Sequence, residues 1–183
     1  MKIISGKYKS RVLNTLEGLS TRPMMSRMKE SVFNTIGPYF DGDIVLDLFG
    51  GSGQLSLEAI SRGAKKAYIV EKDYKASKII EENIKSLNES DNCYLYRTDY
   101  KIALNEFKNQ GKKFDIIFLD PPYRLNIMNE LIDYIEQNDL LNEYGVIVCQ
   151  YVKGNFTPTE TDYLKIRKNY TYASSEVLIY ERR

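Results

Sequence analysis

Between residues 44 and 151 the chain alternates five short apolar runs with stretches of helical periodicity, and this alternation constrains the fold more than any other feature. The apolar runs cover residues 44–48, 67–71, 93–97, 114–119 and 145–151. Each is strand length and is bounded by turn-forming residues. The segments between them, 54–62, 74–87, 100–108 and 126–137, read as helices. Strands separated by helical crossovers run parallel in a sheet covered on both faces. Upstream, residues 24–36 read as a further helix, with Met28, Val32, Phe33 and Ile36 at helical spacing and Gly37-Pro38 as its stop. Residues 2–5 and 9–13 can pair as a small hairpin around Gly6-Lys7. Near the C-terminus, 164–167 and 176–181 read as an antiparallel closing pair. The expectation is a Rossmann-like α/β fold with a mostly parallel seven-stranded sheet, an antiparallel C-terminal strand pair and an N-terminal hairpin extension. A basic extension over 1–20 would precede one domain over 21–183.

Composition narrows the chemistry. At 183 residues, 43% hydrophobic and 28% charged, the chain has the profile of an ordinary globular domain. Its apolar runs fall short of membrane-spanning length, and its first residues lack the apolar core of a signal peptide. It contains no histidine, which excludes Ser-His and Cys-His nucleophile pairs. Cys93 and Cys149 lie far apart in apolar segments and read as reduced core residues of a cytoplasmic protein, without a metal centre. The net charge of +1 conceals an asymmetry, because residues 1–40 carry +5 and residues 41–160 carry −6. A basic arm on a mildly acidic body suits a polyanionic partner; a solvated tail is the plain alternative. The candidate phosphate contacts are Lys2, Lys7, Lys9, Arg11 and Arg22. Helix-end or intrachain pairing is an equal reading for Arg22 and Arg27.

Open α/β sheets bind ligands at the carboxyl ends of their strands. Four consecutive strand ends here carry Asp47, Glu71, Asp99 and Asp120, spaced 24, 28 and 21 residues apart, about one strand–helix unit each. All four would line one crevice. The last of them begins Asp120-Pro121-Pro122-Tyr123. A carboxylate and a neighbouring backbone carbonyl can accept hydrogen bonds from an amine, an aromatic ring can stack on the base that carries it, and the prolines fix the backbone. The bland reading is a strand ending in an Asp-Pro turn.

After the first strand comes Asp47-Leu48-Phe49-Gly50-Gly51-Ser52-Gly53. Its glycines allow a ligand close to the backbone at a helix start. A nicotinamide dinucleotide is one candidate, although Ser56 stands where its fingerprint has glycine, and Asp47 would repel a pyrophosphate. Asp47 favours a cationic ligand carrying an ammonium and a sulfonium. Glu71 suits two ribose hydroxyls, and Asp99 an adenine amino group. That set fits S-adenosylmethionine, with Lys72 and Tyr100 as flanking members of the cofactor site.

At this point the residues resemble a family. The loop from Asp47 to Gly53, Glu71 and Asp99 are similar to the first motif, the ribose-binding acid and the adenine-side acid of class I S-adenosylmethionine-dependent methyltransferases. Asp120-Pro121-Pro122-Tyr123 resembles the motif of their amino-methylating branch. A narrower resemblance, to the RsmD family, rests on Ile3-Ile4-Ser5-Gly6-Lys7-Tyr8-Lys9-Ser10-Arg11, on Thr21-Arg22-Pro23 and on Arg27-Met28-Lys29-Glu30-Ser31-Val32-Phe33-Asn34. It implies methylation of the N2 amine of one guanine in 16S ribosomal RNA, with a 30S subunit or assembly intermediate as partner and a monomeric enzyme. The chain departs from that family at Met24-Met25-Ser26, where Thr-Thr-Asp is usual, at Gln150-Tyr151, where Glu-His is frequent, and at Gly51, where alanine is usual. Amino-methylation of DNA or of a protein amide, a nicotinamide-dependent oxidoreductase and a non-catalytic RNA-binding module remain as alternatives.

Overall fold

The computed structural model of the chain describes residues 1–16 and 26–183. Its elements run α1 (Ser26–Ile36), β1 (Ile44–Asp47), α2 (Gln54–Ser61), β2 (Lys66–Val70), α3 (Tyr74–Ser86), β3 (Cys93–Tyr96), α4 (Tyr100–Asn109) and β4 (Phe114–Leu119). A 3-10 turn (Tyr123–Leu125), α5 (Met128–Gln137), β5 (Leu141–Val152), β6 (Leu164–Thr171) and β7 (Ser175–Arg182) follow. All seven strands share one sheet in the order β3-β2-β1-β4-β5-β7-β6. Strands β1 to β5 pair in parallel, and β7 runs antiparallel to both β5 and β6. This is the mostly parallel sheet with an antiparallel C-terminal pair that the sequence implies. Among the described residues no helix is long and apolar enough to cross a membrane.

Alternation of side chains across the strands builds two apolar layers. On one face Val45, Ile69, Phe118 and Val148 pack against Val32 and Phe33 of α1, Leu57 and Ile60 of α2, and Ile80 and Ile84 of α3. On the other, Leu46, Ile117 and Ile147 pack against Leu104 and Phe107 of α4 and Leu131 and Ile135 of α5. Of the strand aromatics, Phe118 is fully buried, whereas Tyr94 on edge strand β3 is 36% exposed. The Tyr94 ring stacks on Tyr68 at 5.0 Å.

Several boundaries differ from the sequence reading, with β6 running on to Thr171 beyond the expected 164–167, and two of the differences have a plain local reason. Helix α5 starts two residues late because Asn126 takes a left-handed conformation, φ 45°, after the 3-10 turn. Strand β5 begins at Leu141, four residues before Gly145. Leu141 pairs with Phe114, and the register then shifts before Ile116 pairs with Val146.

The N-terminal segment is sewn to the body. Lys2 and Val12 form an antiparallel bridge, and Ile3 N–H donates to Arg11 O at 3.0 Å. Ile3 and Leu13 are 1% and 2% exposed and belong to the α1–α3 layer. Gly6 is needed here, because a Cβ at that position would lie 1.8 Å from Ser61 O at the end of α2. The anchor is Glu58, a wholly buried carboxylate in the middle of α2. Its oxygens accept from Ile4 N–H at 2.9 Å, Ser5 N–H at 3.0 Å and Arg62 Nε at 2.8 Å, and lie 3.2 Å from Lys29 Nζ. Lys29 Nζ also donates to Lys2 O at 3.1 Å, and the Arg62 guanidinium lies over the Phe33 ring at 4.8 Å. Glu58 thereby joins the N-terminal segment, α1 and α2. Removing one member of a buried ion cluster leaves uncompensated charge. Glu58→Ala is expected to lower stability by about 3–5 kcal/mol. It should also expose Lys7, Lys9 and Arg11 to trypsin well before the sheet unfolds, read by thermal melts and limited proteolysis.

Candidate active site

The strand order reverses at β1. The chain leaves β1 toward β2 and later returns to place β4 on the opposite edge of β1. Helices α2 and α5, which follow β1 and β4, cover opposite faces, so a crevice opens above the carboxyl ends of these two strands. A cavity of about 460 Å³ occupies it.

The cavity walls bring together most of the residues singled out from the sequence. Asp47, Phe49, Gly50, Gly51, Ser52, Glu71, Lys72 and Tyr100 line it with all four residues of Asp120-Pro121-Pro122-Tyr123. Gly53 does not line it; φ of 79° at this residue lets the loop turn into α2. Gly50 is required by a close approach, because a Cβ there would sit 2.5 Å from Ile69 Cγ2. Around Gly51 there is no atom within 4 Å of such a Cβ, so the loop faces open space. Glu71 braces the loop by accepting from Gly51 N–H at 3.0 Å and from Asp73 N–H at 2.8 Å. A carboxylate has about four lone-pair sites, so it keeps acceptor capacity toward the cavity.

Asp99 is placed differently from the sequence expectation of an acid lining the crevice. Its carboxylate caps α4, accepting from Lys101 N–H at 2.9 Å, and lies 3.7 Å from Lys72 Nζ. Helix α4 leaves its first N–H groups unpaired, and Asp99 is the nearest acceptor. Its neighbours Thr98 and Tyr100 face the cavity instead.

Burial dominates the electrostatics of two carboxyls at the strand ends. Asp47 is 1% exposed and accepts from Ser56 Oγ at 3.1 Å. Burial, with the charge of Glu71 adding to it, pushes its carboxyl up to about 7. Asp120, half-buried at the end of the neighbouring strand, is likewise pushed up to about 7, by burial first and then by the charge of Asp47. Two carboxylates on adjacent strand ends that make no ion pair among the described residues favour whatever supplies positive charge or hydrogen-bond donors.

A family model described as "Conserved hypothetical protein 95" matches residues 1–181. "Putative rRNA methyltransferase YlbH" of Bacillus subtilis is 39% identical over 183 residues, all of both chains. Ribosomal RNA small subunit methyltransferase D of Escherichia coli is 31% identical over 159 residues, 87% of this chain and 78% of that one. The chain belongs to the RsmD family. A solved structure titled "Putative methyltransferase yhhF from Escherichia coli" superposes with a TM-score of 0.86 at 26% identity, covering 100% of this chain and 98% of that one.

In this member of the RsmD family the basic arm divides into paired and unpaired cations. Lys7 pairs with buried Glu89, which also accepts from the Tyr8 hydroxyl, and Arg11 Nη2 donates to Ser86 O at 2.7 Å. Lys2 and Lys9 are exposed and make no ion pair among the described residues. Arg22, with Thr21, Pro23, Met24 and Met25, lies outside the described residues. The arm also reaches the glycine loop. The buried Asn83 side chain donates to Ser52 O at 2.9 Å and to Asn14 O at 3.0 Å, and accepts from Asn14 N–H at 2.7 Å.

Several cavity residues escape sequence reasoning, among them Gln54, Leu55, Val70, Thr98, Leu125 and Gln150. Each adjoins a recognised strand end or loop, and only the strand register brings Gln150 beside Asp120.

The raised carboxyls have a consequence for stability. Their folded values lie above the unfolded value near 3.8, so between about pH 4 and 7 the folded chain holds protons that the unfolded chain has released. Their stabilising contribution is full below pH 4 and is lost as pH rises through 7. Asp47→Asn cannot ionise, so its stability relative to wild type is expected to rise across this window, by roughly 1.4 kcal/mol per pH unit for each proton no longer held. Denaturant melts at a series of pH values check this; a difference independent of pH contradicts it.

Proposed function

We propose that the chain is an S-adenosylmethionine-dependent methyltransferase that modifies the exocyclic N2 amine of a guanine in 16S ribosomal RNA. The observation that carries this reading is the convergence of two half-sites in one cavity. A glycine loop with Asp47 and Glu71 forms one half, and Asp120 to Tyr123 the other. The names of the relatives support the ribosomal RNA substrate.

The residues fit the cofactor. The acidic donor set suits its cationic end, Glu71 suits a pair of ribose hydroxyls, and the open space at Gly51 admits it against the backbone. When bound, the cofactor supplies an electrophilic methyl group on a sulfonium. Asp120 and the Pro121 carbonyl accept the two N–H groups of the guanine amine and favour a pyramidal nitrogen with a free lone pair. Tyr123 stacks on the base, an interaction worth roughly 1–3 kcal/mol. With the cofactor held by the Asp47 loop and Glu71, its methyl group would be open to the amine nitrogen that Asp120 and Pro121 orient, and Asp120 or water would take the amine's surplus proton. Alignment of this kind can supply up to about 7–11 kcal/mol, so no histidine base is needed. The base leaves its stack to enter the slot, most cheaply from an unpaired loop. Asp99 would serve the adenine side through its rim position beside Thr98 and Tyr100. A 30S subunit or its assembly intermediate is the proposed partner, met by a monomer in the cytoplasm.

Labelled methyl should pass from S-adenosylmethionine to 30S particles from a strain lacking the gene and appear in N2-methylguanosine after digestion. Asp120→Ala should abolish the transfer while retaining the melting temperature within a few degrees. Label in another nucleoside would overturn the substrate. The arm gives a separate test with Lys2→Ala and Lys9→Ala combined, which keeps Ile3 and Leu13 in the core. RNA affinity should weaken, with the salt slope falling by roughly 1 per lost phosphate contact and kcat unchanged. An unaltered slope would remove Lys2 and Lys9 from the interface.

A further inference from the structure

Two side chains that line the cavity carry a buried acceptor that the chemistry above leaves idle, Gln54 Oε1 and Gln150 Oε1, and the second stands on the strand next to Asp120. Gln150, on β5, lines the cavity and is 4% exposed. Its Nε2 donates to the Tyr123 hydroxyl at 3.3 Å. Its Oε1 has no hydrogen-bond partner among the described residues and is closed to water. An acceptor in that state carries its full desolvation penalty until a donor arrives.

The sheet register says where that donor would come from. Leu119 pairs with Cys149 in the parallel β4–β5 ladder. Continuing the register by one residue sets Gln150 beside Asp120. Phe118 and Val148, two residues earlier on each strand, face the α1–α3 layer, so Asp120 and Gln150 point to that same side. Two acceptors on neighbouring strands, about 4.8 Å apart at the backbone, can converge on two donors along one edge of a base. The three bases with exocyclic amines differ at the ring nitrogen that adjoins the amine on the base-pairing edge. In guanine it is an N–H donor; in adenine and cytosine it is a bare acceptor nitrogen.

We propose that Gln150 Oε1 accepts the ring N–H adjacent to the reacting amine and thereby selects guanine over adenine and cytosine. The inference rests on the amine-methylating reading of the Asp120 slot and assigns the specificity within it. The terminal amide of a glutamine turns over a broad torsion, so Oε1 swings into the cavity as Tyr123 leaves Nε2 to stack on the base.

The test uses 30S particles reconstituted with 2-aminopurine at the methylated guanine. This analogue keeps the amine and lacks the ring N–H and the ring carbonyl. For wild type, kcat/KM on guanine should exceed that on 2-aminopurine by roughly 10–100-fold. Gln150→Leu should reduce this preference about tenfold, the remainder being owed to the ring carbonyl. Gln150→Glu, which keeps an acceptor in place, should keep the preference even at a lower rate. Melting temperature and S-adenosylhomocysteine affinity, measured alongside, establish that the variants are folded. A wild-type preference that survives intact in Gln150→Leu overturns the inference, as does a wild-type preference for 2-aminopurine, which would mean that the amide presents its nitrogen. In both cases methylation of guanine would still stand. Failure of wild type to methylate any guanine amine on unmodified particles overturns the proposed function itself.

Discussion

The site depends on the adjacency of β1 and β4. Because the sheet reverses direction of growth there, the helices that follow the two strands depart to opposite faces, and the strand ends are left uncovered. Asp47 and Asp120 stand on those ends, pointing the same way. Burial works against the ionisation of both, with the charge of Glu71 adding to it at Asp47 and the charge of Asp47 adding to it at Asp120. A cation beside Asp47 and an amine beside Asp120 relieve both. The arrangement therefore favours a cationic methyl donor and a hydrogen-bond donor side by side in one cavity.

That cavity is held in shape from behind. Glu58 fixes the N-terminal segment, α1 and α2 through four contacts of a single buried carboxylate. Asn83 ties Asn14 to the carbonyl of Ser52, so the segment carrying the basic residues is physically continuous with the glycine loop. The arm is thus an integral layer of the fold with its charges on the outside.

Much of this was legible in the sequence because parallel strands buried on both faces are short apolar runs, and because ligand-binding positions lie at their ends. Asp47, Glu71 and Asp120 follow directly from that rule. Asp99 obeys it in position and departs from it in contact, since the start of α4 claims its carboxylate as a cap. Gln150 was hidden for another reason. It lies one residue beyond the paired part of β4, and its partner across the sheet follows only from a register that no local pattern encodes. The insertion of β7 between β5 and β6 is likewise a matter of long-range pairing. Glu58 looks from the sequence like an ordinary helical glutamate; only the folded chain shows that four groups from three segments converge on it.

A crystal structure with S-adenosylhomocysteine tests the central claim most directly. The account predicts the ligand's amino-acid end on the Asp47 loop, its ribose hydroxyls on Glu71 and its sulfur turned toward Asp120 and Tyr123. A ligand bound outside this cavity, or bound with its sulfur facing away from Asp120, would contradict the account.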